Sequence, residues 1–233
     1  AGPSSPFRRL ASFPLVSDPR RLREIRVAVI PRGYSPDMGL AFPPSLSPSS
    51  VSAFKSCPLA FKFSYIDRLP EPPSAAATKG TLVHRALELL LCRPEADRTI
   101  DAALVDLETA RVEMAGDPDL AGLELTDEQR AQFDADAEEL VRKYFLLEDP
   151  RTVRPNGLEL KLTAQFGRVT LRGVIDRLEI DDDGELVVTD YKTGSVPSEF
   201  AENARLSGVH IYAALCEQML GKRQNVGATL AQR

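Results

Sequence analysis

The chain has 233 residues, 43% hydrophobic and 27% charged, enough to bury a core of its own and unlike a disordered or fibrous sequence. Its net charge of −5 excludes a global basic footprint for coating nucleic acid, so any such contact must come from local chemistry. Its three cysteines, Cys57, Cys92 and Cys216, form no CxxC pair and are odd in number, which argues against a disulfide framework and for a reducing compartment, the cytoplasm by default.

Residues 1–45 are rich in proline, carry the basic cluster "RRLREIR" and show no sustained hydrophobic period, so they are expected to form a mostly disordered tail. An ordered start near Met38 is part of the same expectation. Nowhere does an apolar run approach the ~20 residues of a membrane helix, and the N-terminal stretch lacks a signal-peptide core. No membrane association is expected.

Order begins with "SPSSVSAFKSCPLAFKFSYIDRLP", where Ser47 or Ser49 can cap a short helix and Pro58 restarts the chain. Phe54, Phe61, Phe63 and Tyr65 read as core. In "KGTLVHRALELLL", Val83, Ala86, Leu87 and Leu90 mark one face of a helix. Residues 99–117 and 126–147 read as two more amphipathic helices. The period then becomes two in "LELKLTAQF", and two further strands flank an Asp-Gly turn, giving an antiparallel meander. A last helix, about 199–220, carries Ile211, Leu215 and Met219 and closes at Gly221. Residues 222–233 have little to pack and are expected to be a loose tail.

The turn is informative. Gly184 suits the left-handed position of a three-residue loop, 182–184, built as a type I turn with a G1 bulge. That loop sets Asp181 opposite Glu185 and therefore Asp176 opposite Asp190, with Lys192 on the same face and Tyr191 on the other. Two carboxylates with β-carbons ~5 Å apart repel, and a divalent cation such as Mg²⁺ would offset the repulsion. A one-residue bulge would instead put the two acids on opposite faces, each solvated or capping.

The element "GVIDRLEIDDDGELVVTDYKTG" resembles the core motif of the PD-(D/E)XK nuclease superfamily, in particular its RecB-like exonuclease branch. The resemblance implies an α/β (α+β) fold with a restriction-endonuclease-like core: a central mixed sheet with an antiparallel meander, flanked by helices, over residues 46–221. It implies that Asp176 and Asp190 bind a catalytic Mg²⁺ or Mn²⁺, that the Tyr191 backbone carbonyl adds a ligand, and that Lys192 assists the attacking water. The upstream "KGTLVHRALE" resembles the family segment whose histidine is a metal ligand, which gives His84 that role. Glu88, one turn on, could orient His84 or face solvent. Glu159 occupies a strand position where many members carry an acid, and reads equally well as an outward residue of an amphipathic strand.

Two features depart from the family pattern. In "GVHIYAALCEQMLG" Tyr212 is kept, but Gly208 stands where a glutamine is usual; His210 then either contacts DNA or the site or is a plain polar position, and Tyr212 also reads as a core aromatic with its hydroxyl at the rim. Cys57 matches the position of one cysteine of a [4Fe–4S] cluster found in some relatives, but no trio of cysteines follows, so no cluster is expected in this chain. The resemblance also leads one to expect a further strand and a cysteine region beyond Gly221, so the chain is expected to be truncated or to end differently from a typical member.

These residues imply a metal-dependent DNA nuclease, an exonuclease acting on single-stranded or ended DNA in repair or recombination, with a helicase-type protein as a delivering partner. Arg85, Arg172 and Arg177 are candidates for contacts to the DNA backbone or ordinary surface charges. The rival readings are a noncatalytic nuclease-like module for DNA binding or assembly, and a small metal-dependent phosphohydrolase.

Overall fold

The computed structural model describes residues 42–193, 199–220 and 227–232, with the side chains of 199–207, 220 and 227–232 left aside. The expected N-terminal tail therefore lies, up to residue 41, outside the described residues. The first elements are α1 (Pro48–Ser56), α2 (Pro58–Phe61) and a π-helical turn, Lys62–Ile66. Ser47 caps α1 through a reciprocal box with Ser50, whose backbone N–H it accepts.

α3 (Ala75–Cys92) starts at Ser74, whose side chain accepts from the Ala77 backbone N–H, and buries Leu82, Val83, Ala86, Leu87, Leu90 and Leu91. Residues 3 and 4 apart share a helix face, and this stripe turns inward. α4 (Ile100–Glu113), the short α5 (Pro118–Gly122) and α6 (Asp127–Leu147) follow. Thr126 and Gln129 form the capping box that starts α6. Leu107, Ala110, Phe133, Ala137 and Val141 from these helices close against α3 in one core, which also takes in Tyr191.

The sheet consists of β1 (Gly157–Phe166), β2 (Val169–Ile180), β3 (Leu186–Lys192) and β4 (Gly227–Gln232), in that spatial order. The first three strands form the antiparallel meander, and β4 pairs parallel to β3. The sheet is thus mixed, as expected, but residues 227–232 are a strand and not part of a loose tail. Backbone pairing accounts for the difference: β3 without β4 would leave an open edge of unpaired N–H and C=O groups. The intervening α7 (Glu199–Leu220) supplies the crossover that a parallel pair requires.

A second core lies between the sheet and α7, where Leu215 and Cys216 meet Leu162, Ile175, Leu178, Leu186 and Val188. Strand β3 therefore feeds both cores: Leu186 and Val188 toward α7, and Tyr191 toward the α3–α4–α6 layer. Among the described residues, no helix is long and apolar enough to cross a membrane.

Candidate metal centre

The β2–β3 turn has the expected chemistry. Gly184 sits at φ +79, its N–H donates to the Asp181 carbonyl at 2.9 Å, and the Asp181 N–H donates to the Glu185 carbonyl at 2.9 Å. The resulting register pairs Ile180 with Leu186 and Arg177 with Thr189, and the paired ladder ends there, one step short of Asp176 and Asp190. Beyond it the Tyr191 N–H donates to Asp176 Oδ2 at 2.6 Å.

The other neighbour of Asp176 is Glu159. The β1–β2 hairpin turns on Gly167 and Arg168 with Phe166 opposite Val169, and Gly167 has φ +62, as a two-residue loop with glycine at its first position requires. Its register runs through Leu160↔Ile175 and Leu158↔Arg177, and the one position skipped between them is Glu159 against Asp176. Glu159 has φ +44, a left-handed conformation rare for any residue with a β-carbon and rarer inside a strand. Ile175 and Leu178, three apart and so expected on opposite faces, both join the core under α7.

α3 brings the fourth group. His84 Nδ1 lies 3.6 Å from Asp176 Oδ2, and ligand atoms of His84, Glu159 and Asp176 all fall within 4.8 Å of one another. A six-coordinate Mg²⁺ with bonds of ~2.1 Å spaces its ligand atoms ~3–4 Å apart, so a small side-chain adjustment lets the three residues fit a divalent cation. Asp190 is outside this trio; its Oδ2 is 2.6 Å from Lys192 Nζ. A cleft of about 360 Å³ opens beside these groups, lined by Ala77, Gly80, Thr81, His84, Lys192 and Thr193 among others. Another cleft, about 690 Å³ between Cys92, Arg154 and Gly157, shares none of the site residues.

Electrostatics single out the same cluster. Burial, reinforced by the charge of Asp190, pushes the Asp176 carboxyl up to about 7, against the pull of the Tyr191 N–H and Lys192. Glu159 is raised by burial and then by Asp176. Burial lowers His84 from its ordinary value, with Glu159 and Asp190 pulling it up and Lys192 down, which favours the neutral imidazole that binds metals. The Tyr212 hydroxyl is raised by burial and by the charges of Asp190, Asp176 and Glu159, which sets α7 against this acidic group.

Several expected residues are placed differently. Glu88 accepts from Arg85 Nη1 at 2.7 Å, so its partner is Arg85 and not His84. Arg85 is also held by Glu113 at 2.7 Å, and two carboxylates already offset its charge. Arg177, a candidate for contacting DNA, is only 4% exposed and cannot present its guanidinium to a ligand surface; it is paired with Glu148 and Glu179. Arg172 is exposed, as is His210 on α7. Cys57 is a free, exposed thiol that accepts the Ala60 N–H at the start of α2.

Glu159 gains most from the structure. The signal that could have placed it was the two-residue Gly167–Arg168 loop, from which the β1–β2 register counts back to Asp176. A model of the PD-(D/E)XK nuclease superfamily matches residues 45–233 of the chain. No curated protein matches it closely enough to serve as a named relative.

Proposed function

Because the chain belongs to the PD-(D/E)XK nuclease superfamily and has its restriction-endonuclease-like α/β fold, we propose that it is a divalent-metal-dependent deoxyribonuclease of the RecB-like branch. The observation that carries the reading is the convergence of His84, Glu159 and Asp176 on one point beside the Asp190–Lys192 pair. The domain proposed to do this work is 46–221 with β4 added. Its proposed substrate is single-stranded or ended DNA, digested as an exonuclease in repair or recombination, with a helicase-type partner delivering the strand.

In this reading His84, Asp176, Asp190 and the Tyr191 carbonyl would hold Mg²⁺ or Mn²⁺, with Glu159 joining them. When bound, such a cation supplies positive charge to phosphate oxygens and makes a coordinated water more acidic. The Tyr191 N–H holds the Asp176 carboxylate through Oδ2, the oxygen that also faces His84. Asp190 holds the Lys192 ammonium where it can orient the attacking water and offset charge building on the phosphate. Attack forms a new P–O bond as the bond to the leaving ribose oxygen breaks, and that oxygen takes up a proton.

The test is digestion of end-labelled single- and double-stranded DNA by the full chain with Mg²⁺, Mn²⁺ or EDTA, alongside Asp176→Ala and Lys192→Ala. Metal-dependent shortening lost in both variants is the expected result. Degradation indifferent to metal and to both substitutions defeats the proposal, and tight DNA retention with Ca²⁺ but no cleavage under any metal favours a noncatalytic module.

A further inference from the structure

Behind the candidate centre lies a buried charged network that the proposed chemistry does not use. Arg177 follows Asp176 directly in β2. Its Nη1 and Nη2 donate to the two carboxylate oxygens of Glu148 at 2.5 and 3.0 Å, and its Nε lies 2.9 Å from Glu179 Oε2. Nη1 also donates to the Tyr191 hydroxyl at 2.8 Å, and the guanidinium carbon stands 5.7 Å from the centre of the Tyr191 ring. A buried guanidinium is costly to desolvate unless its N–H groups are matched, and the planar fork of arginine matches a carboxylate on two points where lysine cannot.

The contacts on the far side of Tyr191 lead to the metal-facing residues. Its N–H is the group that fixes Asp176 Oδ2. Its ring stands edge-on to His84, with centroids 6.1 Å apart at 80°, and edge-on to Tyr144 of α6, 5.8 Å apart at 88°. Glu148, the residue that ends α6, bonds through its own N–H to the Tyr144 carbonyl. One continuous path therefore runs from the C-terminal end of α6 through Arg177 to Tyr191, and from Tyr191 to both Asp176 and His84.

We propose that Glu148, Arg177 and the Tyr191 hydroxyl form a positioning strut that fixes where Asp176 and His84 sit, so that cation affinity depends on a residue at the end of α6 that is outside the candidate ligand set. Its effect on cleavage rests on the function proposed above; its effect on the placement of His84 does not. Partners in the shell behind metal ligands typically change metal affinity by ~10–100-fold when altered. A strut that served folding alone would lower the melting temperature and leave cation affinity untouched.

The test uses the full chain with Glu148→Gln, Arg177→Lys and Tyr191→Phe, the last keeping the aromatic core intact while removing the hydroxyl that Arg177 holds. Folding is checked by circular dichroism, Mn²⁺ affinity by calorimetry, and ring placement by the histidine signals in NMR spectra of the metal-free protein. The chain has two histidines, and exposed His210 serves as the internal control. The expected result is folded variants, Mn²⁺ binding weakened ~10-fold or more, and His84 resonances displaced while those of His210 stay. Folded variants with wild-type Mn²⁺ affinity and unmoved His84 resonances overturn the strut. A wild-type chain that binds no Mn²⁺ defeats the metal-centre reading instead, and the metal-free His84 resonances still decide the strut.

Discussion

The Tyr191 amide donates to Asp176 Oδ2 at 2.6 Å, so the strand that carries Asp190 and Lys192 also holds the carboxylate of its neighbour. Three acids stand near one another at this level of the sheet: Glu159, Asp176 and Asp190. Burial and mutual repulsion then make that level unfavourable for the metal-free protein.

Asp176→Asn tests this cost directly. The folded carboxyl is raised to about 7 from 3.8, so between those pH values the folded state holds more protons than the unfolded one. The stability of the metal-free wild type therefore falls as pH rises through that window, and the loss is complete above about 7. The asparagine variant, which keeps the oxygen that accepts from Tyr191 and cannot ionise, is expected to melt higher than wild type at pH 8, by roughly 1–4 kcal/mol of stability. That advantage should vanish near pH 4. Equal melting temperatures at pH 8 would show that no penalty resides on Asp176. Calorimetry on the same pair should show Mn²⁺ binding lost in the variant.

Glu159 offers a backbone test. With φ at +44, glycine is free of strain at this position while alanine bears it, so Glu159→Gly should be more stable than Glu159→Ala by about 1 kcal/mol, the reverse of the usual order inside a strand. Both variants should lose cation affinity equally, because both lack the carboxylate. Thermal melts and Mn²⁺ titrations of the two, side by side, separate the conformational role from the chemical one.

Gly173 sets the approach of α7. A β-carbon there would stand 2.7 Å from Tyr212 Cε1 and 3.2 Å from Leu215 Cδ1, closer than packed atoms tolerate. Gly173→Ala is expected to destabilise the protein by about 1–3 kcal/mol and to displace the Tyr212 ring from the acidic group. Adding Tyr212→Ala should restore part of the lost stability, read as a non-additive double-mutant cycle; additive effects would mean that the ring is not the obstacle.

The sequence by itself determined what depends on near neighbours along the chain. The cap at Ser47, one of two serines the sequence offered, and the apolar stripe of α3 start and orient helices. Gly184 specified the β2–β3 register because a left-handed turn residue counts off the pairs above it, up to Arg177 opposite Thr189. Gly167 specified the β1–β2 register in the same way, and that second count leads to Glu159. Tertiary structure alone decided the rest. Burial of Arg177 depends on Glu148, 29 residues away, and no local pattern distinguishes a buried arginine from one that faces solvent. The parallel pairing of β4 depends on a crossover through α7, and the left-handed conformation at Glu159 has no turn residue in the local sequence to announce it. Turn geometry and helix periodicity are short-range and are written locally, whereas desolvation, charge repulsion and close approach depend on which distant elements meet.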